Sequence, residues 1–217
     1  RPRADACHLD DPVSAERSCH TAVLIGRSPR RRIEYRGVPR SVHAMTIVGV
    51  HVGLQQTSTA ELQQVWRRIE DLGFGWISVW DHFYGATLRP DDADCLEAVA
   101  MHTLLAATTS RVEVGCLVYC IGYRHPAVLA KAVTAVDQVS GGRAAIGLGA
   151  GWAQLEYEAY GIPYASAGVR LDQLEEGVQV VRGLLLGEVT SFAGKWFQIT
   201  EARNEPRPVQ PHLPVWI

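Results

Sequence analysis

Lysine is nearly missing from this sequence. Only two of its 21 basic residues are lysines and the other 19 are arginines, a bias that points to a GC-rich genome. No apolar run approaches the ~20 residues of a membrane-spanning helix, so an integral membrane protein of that kind is excluded. There is no strong excess of either charge; the formal net charge is −2, and no global basic field marks a nucleic-acid partner. The five cysteines include no CxxC pair. An odd count without tight pairs argues against a disulfide framework or a zinc site, and predicts reduced, buried thiols in a cytoplasmic protein. The dinucleotide fingerprint GxGxxG is absent from the first strand–helix unit.

What is present is globular. Apolar residues make up 47% and charged residues 20% of 217 positions. A chain of this size removes roughly 70% of its unfolded surface from water. Charge divides the chain near residue 44. Residues 1–44 hold nine arginines against five acids, net +4, whereas residues 45–217 hold twelve basic and eighteen acidic residues, net −6. The first stretch shows no helical or strand period. It has no apolar segment to make it a signal peptide, and no interleaved aromatics to make it a nucleic-acid arm. Residues 1–44 read as an irregular basic leader outside the fold, resembling translated upstream DNA, and 45–217 as the folded portion.

From Met45 strands and helices alternate. Thr46–Val52, Trp76–Trp80, Val112–Val118 and Ala144–Leu148 are β-branched or apolar runs that read as buried strands, and Pro214–Ile217 begins a fifth. Ser58-x-x-Glu61 predicts a capping box before Leu62, Val65, Trp66 and Ile69, with Gly73 as the stop. Asp94-x-x-Glu97 predicts another start, with Leu96, Val99, Ala100, Thr103 and Leu104 inward. Pro126 suits the first turn of a helix ended by Gly141-Gly142. A long helix is predicted over 168–186, with Leu171, Leu174, Val178 and Val181 inward.

Strand starts 30–36 residues apart predict βα units and a parallel sheet. The candidates are an open doubly wound sheet and a (β/α)8 TIM barrel. A barrel takes ~250 residues. The 173 residues from Met45 hold five strands, so the chain is either a complete small open sheet or about five βα units of an interrupted barrel, and a break inside a strand favours the second.

Three motifs sit at predicted C-terminal strand ends, where barrels carry their chemistry. Trp80-Asp81-His82-Phe83 follows the second strand; an acid beside a histidine can orient a ligand and handle a proton near neutral pH. Tyr123-Arg124-His125-Pro126 follows the third, where Arg124 and His125 either reach a phosphate or cap the helix. Gly147-Leu148-Gly149-Ala150-Gly151-Trp152 ends the fourth. Its glycines either let strand and helix approach closely or present bare N–H groups to a ligand.

Together these segments resemble the bacterial-luciferase-like family. The resemblance includes Thr109-Ser110-Arg111-Val112-Glu113-Val114-Gly115, Leu129-Ala130-Lys131, Ser140-Gly141-Gly142-Arg143 and Glu156-Tyr157-Glu158-Ala159-Tyr160-Gly161-Ile162-Pro163, and covers Met45–Ile217. It implies an oxidoreductase on a (β/α)8 barrel that binds a flavin or the deazaflavin coenzyme F-420 at the C-terminal strand ends. The Asp-His pair resembles the F-420-dependent branch. Asp81 and His82 would then lie against the deazaflavin ring, with His82 handling a proton. The resemblance also implies a non-prolyl cis peptide at Leu117–Val118 behind the ring, a cofactor lining from Gly149, Ala150, Gly151 and Trp152, and a substrate-facing place for Gln55 and Gln56. The family pattern continues past Pro214-Val215-Trp216-Ile217 with a glycine-rich phosphate loop and three strands. It also often has a polar residue near position 155, where this chain has Leu155.

The implied activity is hydride transfer between F-420 and a small organic substrate. An FMN-dependent monooxygenase is the alternative within the family. Outside it stand a Rossmann-type NAD dehydrogenase, disfavoured by the late and imperfect glycine pattern, and a non-catalytic partial barrel. Bare strand edges at Ile47–Val52 and Val215–Ile217 predict self-association, a homodimer being the simplest form.

Overall fold

The computed structural model describes residues 47–85 and 94–217, and the backbone of 22–26. Five parallel strands form one sheet in the order of the chain: β2 (Ile47–His51), β3 (Trp76–Val79), β4 (Glu113–Cys120), β5 (Ala144–Gly149) and β8 (Val215–Trp216). An antiparallel strand, β1 (Ala22–Gly26), pairs with β2 along the edge that the sequence reading leaves bare. It falls inside the stretch read as a leader; the rest of residues 1–44 lies outside the described residues.

The helices α1 (Thr59–Asp71), α2 (Ala98–Thr108), α3 (Pro126–Ser140) and α5 (Ala167–Leu186) connect the parallel strands. They pack in sequence, α1 on α2, α2 on α3 and α3 on α5. Strand neighbours in chain order, with the helices in one layer, make this a segment of a (β/α)8 barrel. A doubly wound sheet reverses its strand order and carries helices on both faces.

The two sheet faces differ in chemistry. Val50, Ile77, Val79, Val114, Cys116, Ile146 and Leu148 face the helices and form the core with Trp66, Leu105, Leu129, Val133 and Val181. By the period of two, the opposite face carries Gly49, His51, Ser78, Gly115 and Gly147, together with Trp76 and Trp216. At its lower end Trp76 lies across Gly49, where a Cβ would overlap the indole, and meets Trp216 edge-on at 5.1 Å. One layer higher, His51 and Ser78 are register partners joined through Nδ1 and Oγ at 2.7 Å.

Most predicted helix ends are present. Ser58 and Glu61 form the capping box, and Gly141 closes α3 in the left-handed region. Three expectations need correction. Glu97, rather than Asp94, caps α2, its carboxylate accepting the Ala100 N–H. The buried face of α2 is Ala98, Met101, His102, Leu105 and Ala106; a helix apolar on nearly every side gives no period to choose by. Leu171 is exposed, and α5 buries Val180, Val181, Leu184 and Leu185. The short helix α4 (Gln154–Ala159) and the hairpin β6 (Thr190–Ala193) and β7 (Gln198–Ala202) follow β5 and α5.

His102 is wholly buried, with Nδ1 2.9 Å from the Tyr119 hydroxyl. Burial lowers its pKa from 6.5 to about 4. The unfolded chain therefore takes up a proton between these values that the folded chain refuses. Stability falls as pH drops through 6.5, and this contribution is fully lost near pH 4. It amounts to roughly 3 kcal/mol. Urea melts of wild type and His102→Gln across this range should show a shallower acid slope in the variant. Parallel slopes would show that His102 does not govern it.

Candidate functional site at the C-terminal strand ends

The loop after β3 is bound to the end of β4 by an ion pair. Asp81 is buried, and Arg124 grips it through two bonds, Nη1 to Oδ2 at 2.7 Å and Nη2 to Oδ1 at 2.9 Å. The Cys120 N–H donates to the same carboxylate at 2.9 Å. Burial pushes the Asp81 carboxyl above its ordinary value, against the pull of these donors. Arg124 loses hydration by burial, which alone would lower its pKa, but hydrogen bonding and charge from Asp81 carry it above its usual range. Of the two readings of Arg124-His125, the guanidinium is engaged by Asp81 and Glu97, and His125 caps α3 by accepting the Ala127 N–H.

His82, next along the chain, is turned the other way. Its side chain is 19% exposed, and Nδ1 lies 3.0 Å from Oε2 of Glu156. The indoles of Trp80 and Trp152 meet the imidazole edge-on at 5.5 and 5.6 Å. His51 stands beyond Trp80 at 6.2 Å between ring centres. Burial and the neighbouring His82 lower the His51 pKa, which favours its neutral form.

Glu156, on α4, is fully buried. Oε1 accepts the N–H groups of Phe83 and Tyr84, each at 2.9 Å, while Oε2 also accepts the Tyr123 hydroxyl at 2.5 Å. Burial works to raise its pKa, but hydrogen bonds from His82, Tyr123 and the Tyr84 backbone outweigh it and hold the carboxyl below its ordinary value. In the sequence Glu156 stands out only as part of a family motif. Its signal is faint, because Glu158 on the same short helix is exposed and nothing local separates the two.

Leu117–Val118 is a cis peptide, at the bond the resemblance implies, and the β4–β5 register shifts between Cys116 and Tyr119. Val118 is 38% exposed in a strand that is otherwise largely buried. The glycines of β5 make room for this bulge: a Cβ on Gly147 would sit 2.5 Å from the Cys116 carbonyl, and one on Gly149 would sit 2.4 Å from a Val118 methyl. Gly151 adopts a positive φ of 75°, and a Cβ there would strike Cys120 Sγ and the Tyr157 hydroxyl. Close approach of backbones thus accounts for the glycines. Gly149, Ala150 and Gly151 nevertheless stay partly exposed beside the bulge, and Trp152 is exposed.

Gln55 and Gln56 follow β2, and Gln55 pairs with Cys95 in an isolated bridge. The Gln55 carboxamide folds against Gly53, and its buried Oε1 has no partner among the described residues. Gln56, in the left-handed region, donates its N–H to the Asp94 carbonyl. Burial pushes the Cys95 and Cys120 thiols up to about 12 and about 11, so neither is a thiolate nucleophile at neutral pH. Among the described residues no cluster of His, Cys, Asp and Glu is arranged to hold a metal ion, and no helix is long and apolar enough to cross a membrane.

The fold is of the α/β-barrel class, with a histidine, a bulge and partly exposed glycine backbone after its strands. The family profile described as Luciferase-like monooxygenase matches residues 40–217, and the chain belongs to that family. It is 29% identical over 174 residues to the F420-dependent glucose-6-phosphate dehydrogenase of Amycolatopsis mediterranei (strain U-32), covering 80% of this chain and 51% of the relative. It is 32% identical over 158 residues to the pyrimidine monooxygenase RutA of a Bradyrhizobium species (strain BTAi1), covering 71% of this chain and 44% of that protein. Among solved structures, an F420-dependent secondary alcohol dehydrogenase in complex with an F420-acetone adduct superposes with a TM-score of 0.69 at 27% identity, over 77% of this chain and 50% of the other. The chain spans about half the length of these relatives. It is an oxidoreductase-family barrel with both F420-dependent and monooxygenase relatives.

Proposed function

We propose that this chain forms part of an F-420-dependent oxidoreductase that interconverts a small organic alcohol and its carbonyl compound. The observation that carries this reading is the placement of His82. It stands partly exposed and meets the indoles of Trp80 and Trp152 edge-on, and Trp152 directly follows the partly exposed backbone of Gly149–Gly151. A planar apolar ring fits this setting: the apolar Val118 is partly exposed, and glycine lets a ring approach the backbone. Val118, Gly149, Ala150, Gly151 and Trp152 would hold it. When bound, the deazaflavin supplies hydride exchange at carbon with little reactivity toward O₂.

The chain's own contribution is to the proton. Loss of hydride from an alcohol carbon is matched by loss of the hydroxyl proton, and His82 accepts that proton at Nε2, the nitrogen that Glu156 leaves open. Asp81 acts indirectly, by tying the His82 loop to β4 through Arg124. The F420-dependent relatives support the choice of cofactor.

The monooxygenase relatives support a second reading, in which FMN occupies the same place. Titrating the full-length protein separately with F-420 and FMN, followed by visible absorbance, distinguishes them. Saturable binding of F-420, with bleaching on addition of an alcohol, is the expected result. Saturation by FMN alone would overturn the F-420 reading.

A further inference from the structure

We infer that Glu156 is the positioning residue that sets the tautomer of His82, drawing the hydrogen onto Nδ1 and leaving Nε2 bare toward the open site. The inference rests on the reading of His82 as the proton-handling group, and it adds the reason that group works as a base.

An ionised carboxylate only accepts hydrogen bonds. Glu156 is held ionised in the interior by three donors independent of His82, the Phe83 and Tyr84 N–H groups and the Tyr123 hydroxyl, and its two oxygens divide the work. Oε1 takes the two backbone N–H groups of the turn after His82. Oε2 takes the Tyr123 hydroxyl and faces His82 Nδ1. With no hydrogen on Oε2, the contact at 3.0 Å is a hydrogen bond only if Nδ1 carries one. A neutral imidazole then has its lone pair on Nε2. The edge-on indoles of Trp80 and Trp152 restrain the ring plane, so the lone pair keeps one direction. A charged side chain in the interior is costly. The carboxylate serves two purposes here: it closes the Phe83–Tyr84 turn, and it orients a histidine 74 residues away in sequence.

The division between the two oxygens makes the inference testable with one isosteric change. In Glu156→Gln the amide oxygen can keep both backbone N–H groups, which places the NH₂ group against His82. That group donates to Nδ1 and moves the ring hydrogen to Nε2, turning a base into a donor without removing the histidine. Ring ¹⁵N chemical shifts of His82, taken on the protein without cofactor or substrate, should report hydrogen on Nδ1 in wild type and in Tyr123→Phe, and on Nε2 in Glu156→Gln. Alcohol oxidation by Glu156→Gln should fall by about 10²-fold in kcat with KM little changed. Hydrogen on Nε2 in the wild type would overturn the inference. So would an Nδ1 hydrogen retained in a folded Glu156→Gln. If that variant does not fold, the wild-type and Tyr123→Phe spectra decide: Nδ1 hydrogen in both supports the inference, and Nε2 hydrogen in either overturns it. These spectra are independent of turnover, so a tautomer as stated in a protein that does not use F-420 would sink the function and leave the positioning role standing.

Discussion

Replacing His82 by alanine in the full-length protein is expected to lower turnover by about 10²-fold or more while the fold survives. General acid–base groups contribute factors of this order. The fold should survive because the change leaves the other duties of Glu156 in place. Its Oε1 still accepts the Phe83 and Tyr84 N–H groups, and its Oε2 still accepts the Tyr123 hydroxyl. His82 is also partly exposed, so its truncation opens no sealed cavity. The check is kcat at saturating cofactor together with a thermal melt. Turnover equal to wild type would remove His82 from the chemistry. Loss of activity with a collapsed melting curve would make it a packing residue instead.

The second large effect concerns stability. Arg124→Leu is expected to destabilise the protein by about 3–5 kcal/mol, because it leaves Asp81 as a buried carboxylate with the Cys120 N–H as its remaining donor among the described residues. For a chain of this size that is a fall in Tm of roughly 10 °C or more. The effect should depend on pH in a stated direction. Burial raises the folded pKa of Asp81, and removing the guanidinium raises it further. A group with a raised folded pKa takes up its proton in the folded state first, so acidification relieves the penalty and the gap to wild type narrows as pH falls. The double variant Asp81→Asn/Arg124→Leu should recover much of the loss, since no buried charge remains. A single variant within about 0.5 kcal/mol of wild type, as expected of ordinary surface substitutions, would show that the pair does not secure the site.

The family resemblance points to the cis bond at Leu117–Val118, and caps, stops and apolar spacing point to four of the connecting helices. Both signals are local in the chain. A capping box, a proline in a first turn and a β-branched run act within a few residues, so they can be read in order. The faces of α2 and α5 could not be read that way. α2 is apolar on most sides, and Met101 and Leu105 are buried more deeply than Val99 and Leu104 where the helix meets β3, β4, α1 and α3.

The site divides along the same line. His82, Val118, Gly149 and Trp152 fall at strand ends, and an alternating pattern of strands and helices already brings strand ends together. Asp81 and Glu156 are different. One carboxylate reads as a cofactor contact and proves to be tied to Arg124, 43 residues on. The other stands beside an exposed Glu158 in a six-residue helix. Which acid is buried, and which donors turn toward it, depends on contacts between segments far apart in sequence. The chain order determined alternating βα units, a parallel sheet and a histidine at a strand end, and the family resemblance made the sheet part of a barrel. Only the tertiary structure decided that one acid secures the loop and another holds the ring, because desolvation and hydrogen-bond partners exist only once β3, β4 and α4 meet.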